Sequence, residues 1–203
     1  MLKHRSRKEF QIKNMNQKGF TIVETLVAIT IMMIAIVGPL TVANKALTAA
    51  LDARNQLIAN SLAQETMEYV RNKKDNNIID PNKGQDLWLD GIDTCTATSP
   101  GANACDAQVS INSPGYRIGT CNPTDCSLYI DNSVNKLGYI HDSSNNNIIT
   151  PFSRYFYISS VNNVMQNSVK IGSETVVTVI VSWNSGTVNN QIRLREYINN
   201  AQK

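Results

Sequence analysis

The sequence predicts an α+β protein in which a long N-terminal helix packs on a C-terminal antiparallel β-sheet. The first observation behind this prediction is an apolar run over residues 20–44 that contains one charged side chain. The second is a periodic apolar stripe beyond residue 45, in a stretch free of Gly and Pro. The third is the alternation of apolar and polar residues within 127–198. A sheet with one apolar face needs a covering element, which the helix supplies.

The tail formed by residues 1–19 holds the excess positive charge. Six Lys and Arg side chains against Glu9 give this tail +5, so the rest of the chain carries −2 of the total of +3. A basic tail before an apolar segment is typical of a cytoplasmic anchor. The slightly acidic remainder removes most of the support for nucleic-acid binding, and no nucleic-acid partner is predicted.

The apolar run is long enough to cross a membrane as a helix. At about 1.5 Å per residue, roughly 20 helical residues span the hydrocarbon core. The basic tail then faces the cytoplasm and the chain continues outward. Gly38 and Pro39 lie late in the run. Because proline removes a backbone hydrogen bond, a kink or a local loss of helix is expected there.

A secretory signal peptide or an ordinary signal anchor would also explain the hydropathy. Such a signal is cut after its apolar region, beyond small residues, and Thr41-Val42-Ala43 provides a poor site of that kind. The other end of the run is more informative. Residues 18–24 read Lys-Gly-Phe-Thr-Ile-Val-Glu, which resembles the cleavage and methylation motif of type IV prepilins and pseudopilins.

The resemblance implies a structural subunit, a minor pilin or pseudopilin, of a type IV pilus or a type II secretion-like filament. In that family a membrane-embedded peptidase cuts after the glycine, and the new N-terminal residue is methylated. Cleavage would then follow Gly19, and Phe20 would be methylated. The implied partners are other pilin or pseudopilin subunits, the prepilin peptidase/methyltransferase, assembly platform proteins and the inner membrane. The assembled product would be a cell-surface or periplasmic filament.

Glu24 is the one charge in the apolar run. A carboxylate at the bilayer centre costs about 2.5 to 3.5 kcal/mol on insertion scales, so it usually marks a partner. The resemblance implies that Glu24 meets the N-terminal amine of Phe20 in a neighbouring subunit. The competing interpretation is a carboxylate hydrogen-bonded within its own helix. Near Pro39, filaments of the family lose helix, and a plain kink is the alternative there.

These patterns divide the chain into four parts. Residues 1–19 are a cleaved leader, 20–44 the transmembrane and filament-core half of the helix, 45–74 its amphipathic half, and 75–203 a globular domain with a disulfide-bearing region at 95–126. Asp75-Asn76-Asn77 is expected to end the helix. The stripe predicted to pack on the sheet comprises Leu47, Leu51, Ile58, Leu62 and Tyr69, with Ala50, Leu57 and Val70 beside it.

The four cysteines are Cys95, Cys105, Cys121 and Cys126, all on the outer side of the predicted membrane segment. An even number in an oxidising compartment predicts two disulfides. Zinc is the alternative, but the spacings are wide and the one histidine beyond the tail is His141. Local pairing of the first two and of the last two is favoured. Many major pilins carry a cysteine pair near the C-terminus, so this arrangement argues against a major pilin.

The clearest predicted strand covers residues 174–183, followed by a turn at 184–187 and a second strand that completes a hairpin. Residues 154–160 form another predicted strand, and 127–131 and 136–141 form weaker ones.

No catalytic constellation, cofactor site or metal site is predicted, because the chain lacks a nucleophile elbow and a phosphate-binding loop. Residues 80–86 faintly resemble a calcium loop, but a solvated turn with Trp88 packed beneath it is the preferred interpretation. A second function stays open: an exported or membrane-anchored binding or adhesion module that does not polymerise.

Overall fold

The computed structural model describes residues 19–97, 104–109, 116–122, 125–130, 138–141, 143, 147–166 and 169–200. Outside these ranges lie the leader up to Lys18 and three residues of the weaker predicted strands, Asp131, Lys136 and Leu137. The described elements are α1 (Ile22–Ile79), β1 (Cys105–Val109), β2 (Tyr116–Thr120), β3 (Ser127–Ile130), β4 (Tyr139–Ile140), β5 (Ile148–Ile158), β6 (Asn162–Gln166), β7 (Val169–Ser185) and β8 (Val188–Asn199). Short 3-10 helices occupy Gln85–Leu87 and Asp93–Cys95.

The chain divides into two compact units, residues 1–49 and 50–203. The described part of the first unit is the beginning of α1, and all of its residues are exposed. The helix of the single chain continues through Pro39, and the loss of helix that the resemblance implies for assembled filaments stays a prediction. Proline removes a single N–H donor, and the turns on either side of it retain their own hydrogen bonds.

In the second unit, α1 presents a narrow face of small and medium side chains to the sheet. The buried apolar members are Ala59, Leu62, Ala63, Met67 and Val70, with Thr66 among them. The predicted stripe is therefore correct for Leu62 and Val70. It is wrong for Leu47, Leu51 and Leu57, which are 62%, 50% and 72% exposed, and for Ala50, which is also exposed. Ile58 and Tyr69 are partly buried at the margin of the core. Alanines on the buried face let the helix lie close to the strands, and a stripe chosen from large side chains missed them.

The helix ends at Ile79, so the break predicted at residues 75–77 is wrong. Asn77 is 3% exposed, and its Nδ2 donates to the carbonyl oxygens of Trp88 at 3.2 Å and Asp90 at 2.9 Å. Its Oδ1 accepts a hydrogen bond from Lys83 Nζ at 2.9 Å. The asparagine thus organises the following loop instead of ending the helix. Trp88 is 3% exposed, as predicted.

The eight strands form one antiparallel sheet with β5 and β7 at its centre. The strand β8 pairs with β7 along its whole length, and Gly186, with φ 64°, lies in the two-residue turn between them. The predicted hairpin is confirmed. Three further strands, β1, β2 and β6, were not predicted. β1 shows why: Cys105, Asp106 and Ala107 are all buried, so no alternation marks it.

Both disulfides join the local pairs of cysteines. Cys95 is bonded to Cys105 and Cys121 to Cys126, with Cα–Cα distances of 5.5 Å in each. The first ties the second 3-10 helix to β1, and the second closes the connection between β2 and β3. All four thiols are consumed, so none remains to ligate zinc.

Candidate processing and assembly segment

The segment that resembles a processing site lies immediately before α1. Thr21 caps the helix: its Oγ1 accepts a hydrogen bond from the Glu24 backbone N–H at 3.3 Å, and its carbonyl oxygen accepts one from Thr25 N at 3.2 Å. Thr-x-x-Glu is a helix-start pattern, so the role of Thr21 was readable from the sequence, although it was not predicted. Gly19 and Phe20 consequently lie outside the helix, in exposed backbone.

Gly19 occupies open space. A Cβ placed on it would meet no atom within 4 Å, and its backbone is not in the left-handed region that favours glycine. The next residue, Phe20, is 80% exposed. The described chain therefore does not itself require a glycine at this position, and the peptide bond that follows is accessible.

Glu24 stands among exposed apolar side chains, including Val23 and Val27. Among the residues described, its carboxylate forms no ion pair or hydrogen bond. The competing interpretation, a carboxylate held by its own helix, therefore has no contact in its favour. A negative charge in the first helical turn is favourable to the helix dipole, but this effect falls short of the cost of burying an unpaired carboxylate.

The described hydroxyl groups of the apolar segment are satisfied within the helix. Thr25 donates to the Ile22 carbonyl at 2.8 Å, Thr30 to the Val27 carbonyl at 2.8 Å, and Thr41 to the Gly38 carbonyl at 2.7 Å. Polar groups in hydrocarbon must find such internal partners. The segment can therefore enter an apolar environment with Glu24 as its one ionisable group.

The apolar part of α1 is long and apolar enough to cross a membrane, and no residue of its most apolar stretch is buried. Soluble monomers rarely expose a continuous apolar surface of this extent. Lipid, or other protein surfaces, must cover it.

The second half of α1 is attached to the sheet by a buried arginine. Arg154 on β5 is 1% exposed, and its guanidinium donates to Glu65 Oε2 at 2.8 Å and to the Ala107 carbonyl at 3.0 Å. A longer contact of 3.4 Å reaches the Leu62 carbonyl of the helix. Arg154 was not singled out from the sequence, yet the alternation of Phe152, Arg154 and Phe156 places it on the core-facing side of the strand.

A histidine lies in the same buried region. His141 Nδ1 is 3.6 Å from Asp106 Oδ2, and both side chains are nearly inaccessible. Burial lowers the pKa of His141 to about 4. The negative charge of Asp106 acts against this shift, and the positive charge of Arg154 adds to it. The imidazole is thus neutral at physiological pH.

Two polar contacts at the surface hold the helix at other points. Arg71 donates to both carboxylate oxygens of Glu196 on β8, at 2.7 Å from its Nε. Ser185, at the end of β7, donates to Asp52 near the start of the second unit.

The loop that faintly resembles a calcium site is organised by a lysine. Lys83 Nζ contacts Asp90 Oδ2 at 2.5 Å and lowers the pKa of that carboxyl. Asp80 Oδ1 accepts a hydrogen bond from the Asn82 backbone N–H at 3.0 Å. In the described ranges, no cluster of three or more His, Cys, Asp or Glu is arranged to hold a metal ion.

Comparison with known proteins identifies a family motif in the N-terminal segment. The model of the prokaryotic N-terminal methylation motif matches residues 14–38, a range that includes Gly19, Phe20 and Glu24. No curated protein and no solved structure matches the chain. The matched motif opens the apolar helix, and the second half of that helix packs on an antiparallel sheet. The chain thus combines the N-terminal methylation motif of type IV pilins and pseudopilins with a pilin-like α+β fold.

Proposed function

We propose that this protein is a minor pilin or pseudopilin, a structural subunit of a type IV pilus or a type II secretion-like filament. Its proposed partners are other pilin or pseudopilin subunits, the prepilin peptidase/methyltransferase and assembly platform proteins. Before assembly it would span the inner membrane once, with its N-terminus in the cytoplasm. After assembly it would lie in a surface or periplasmic filament.

The observation that carries the proposal is a combination at one end of α1. Gly19 is a glycine for which the described chain shows no need, and Glu24 is a carboxylate without a partner among the described residues. An enzyme that needs a residue without Cβ in its active site accounts for the first. An amine supplied by a neighbouring subunit accounts for the second.

Cleavage after Gly19 would create that amine on Phe20. Glu24 is four residues further on, about 6 Å along the helix axis. Two neighbouring copies displaced by a short axial step could then place the amine of one against the carboxylate of the other. Such a pair would replace the lost hydration of both charges when the apolar helices pack together.

Mass spectrometry of the mature protein tests the processing step. We expect a chain that begins at Phe20 and carries one added methyl group on its amine. The variant Gly19→Val should remain at full length, because the peptidase active site would not accommodate the added side chain. Its fold should be unchanged, since a Cβ at this position meets only open space. Gly38→Ala is the matched control, since a Cβ there also meets nothing within 4 Å, and it should be processed normally. A mature chain that begins near Asn44 would instead support the exported binding module.

Co-purification with sheared filaments tests the pairing step. Glu24→Val should be inserted and cleaved as in the wild type but should be absent from filaments, because the neighbouring amine would lose its acceptor. Glu174→Gln, which removes an exposed carboxylate at the end of the sheet, should enter filaments normally. Incorporation of both variants at equal levels would remove the pairing role of Glu24.

A further inference from the structure

Most of the residues that line a cavity of about 330 Å³ have their side chains on the face of the sheet that points away from α1, although Thr150 and the core residues Phe152 and Trp183 also border it. On β5, Arg154 points toward the helix and contacts it. Ser153 therefore points to the opposite face, because successive side chains of a strand alternate. The cavity lies toward the end of the sheet where β7 turns into β8, and Asn184 and Asn189 belong to its lining.

The strand register aligns hydroxyl and amide side chains across this surface. Ser127 on β3 pairs with Ser153 on β5, and Ser153 pairs with Ser182 on β7. Closer to the turn, Asn184 pairs with Asn189 on β8. Three serines in one row and two asparagines beside them thus share one face of the sheet and line the cavity, on backbone fixed by four hydrogen-bonded strands.

The lining of the cavity contains no charged side chain. One of its hydroxyl oxygens, Ser153 Oγ, is buried and has no hydrogen-bond partner among the described residues. Ile149 and Pro151 add an apolar wall next to the polar row.

The chemistry of the lining selects the class of ligand. An anion would need a cationic partner, which the lining does not provide. A purely apolar ligand would cover the exposed amides of Asn184 and Asn189 without replacing their hydrogen bonds to water. Serine hydroxyls and asparagine amides can both donate and accept, and so can the hydroxyl groups of an uncharged sugar. Sugar rings also carry apolar C–H faces, which suit the wall.

We propose that this cavity binds a neutral saccharide, such as one hexose unit of a surface or matrix polysaccharide. A peptide strand is the other neutral ligand rich in hydrogen-bonding groups, but it would add to a free sheet edge, whereas this cavity opens on the sheet face. The proposal is independent of filament assembly, because it concerns the outer face of the second unit alone.

Binding is to be measured with the full-length processed protein in lipid nanodiscs, prepared without glycoside detergents, whose headgroups are themselves sugars. The probes are arrayed oligosaccharides of glucose, galactose, mannose and N-acetylglucosamine, together with sialylated glycans. The best probe is then titrated calorimetrically. We expect a neutral oligosaccharide to bind and the double variant Asn184→Ala/Asn189→Ala to weaken it about tenfold, the loss of two ordinary hydrogen bonds.

The matched control is Asn162→Ala/Asn199→Ala, which removes two exposed asparagines paired with the same position of β7 at the far end of the sheet. It should change the affinity less than twofold. Three results would overturn the proposal: no neutral oligosaccharide bound at millimolar concentration, equal weakening by both double variants, or binding confined to sialylated glycans. Self-association that depends on the cavity residues, with no glycan bound, would likewise overturn it in favour of a second copy of the chain.

Discussion

At the scale of single residues, Arg154 is the buried charge that links the helix to the sheet. Its guanidinium satisfies Glu65 and the Ala107 carbonyl at once. Replacing it with a methionine of similar length would fill most of the space but leave both acceptors without this donor. Each abandoned buried acceptor costs about 1 to 3 kcal/mol.

We therefore predict that Arg154→Met lowers the free energy of unfolding by about 3 kcal/mol, the sum of these costs with Glu65 partly reached by water. Urea unfolding followed by tryptophan fluorescence measures it, because both tryptophans, Trp88 and Trp183, are buried in the second unit. Arg193→Met, on the exposed face of β8, should cost less than about 0.5 kcal/mol. Equal losses of unfolding free energy in the two variants would mean that the buried contacts of Arg154 do not stabilise the fold.

His141 makes stability depend on pH. Burial lowers its pKa in the folded state to about 4, against 6.5 for the free side chain. Between these values the unfolded chain binds a proton that the folded chain does not, so unfolding is favoured as the pH falls from about 6.5 to about 4. The stabilisation that comes from the neutral His141 is fully present above about pH 6.5 and is lost as the pH falls to about 4. Its total is on the order of 3 kcal/mol.

The measurement is the free energy of unfolding at several pH values, for the wild type and for His141→Gln. The substitution should flatten the slope between pH 4 and pH 6.5, whatever its effect on absolute stability. Parallel curves for the two proteins would assign the slope to carboxylates elsewhere in the chain.

At the scale of elements, the helix and the β7–β8 hairpin could be predicted because each has a clear period. Val177, Val179 and Val181 lie together in the main core, on one face of β7, as expected. The buried face of α1 could not be fixed in this way, because apolar residues surround much of the helix. Leu57 is exposed while Ala63 is buried, a choice set by how closely the helix approaches the strands and not by hydropathy.

The close approach of α1 can be tested by enlarging one buried alanine. Ala63→Leu should destabilise the fold by about 1 to 3 kcal/mol, because the added methylenes have no space in a packed core. Leu57→Ala, a change of the same side chains in the opposite direction at a 72% exposed position, should alter unfolding by less than about 0.5 kcal/mol. A larger loss for Leu57→Ala than for Ala63→Leu would place the buried face elsewhere.

The two disulfides should differ in their effect on stability. Cys95 and Cys105 are both fully buried and are ten residues apart, whereas Cys121 is only partly buried and lies five residues from Cys126. We expect replacement of the first pair by serine to cost more, above the roughly 2 to 3 kcal/mol of loop entropy, because two hydroxyls are then buried. Urea midpoints of the two double variants decide the order, and the reverse order would contradict the packing.

At the scale of the whole molecule, the sequence motif and the core lie in different parts of the chain. The methylation motif at residues 14–38 was recognisable because it is a short run of characteristic residues that are contiguous in sequence. The buried network of Arg154, Asp106 and His141 was not recognisable, since its members are far apart in sequence and meet only through the strand order. The cavity on the outer face could not be predicted for the same reason, because its serines come from three separate strands.

The division of labour between the two units leads to a last prediction. No described residue before Ala50 is buried, and the core face of α1 starts at Ala59. A fragment of residues 50–203 keeps the Asp52–Ser185 contact, both disulfides and every described buried side chain. It should therefore fold as a soluble protein whose urea midpoint and slope match those of the full-length protein in nanodiscs. A fragment that starts at residue 66 is the contrast: it lacks Ala59, Leu62 and Ala63 together with Glu65, the carboxylate partner of Arg154, and should fail to fold cooperatively. If the longer fragment also unfolds at lower urea than the full-length protein, the apolar half of α1 contributes to the stability of the domain.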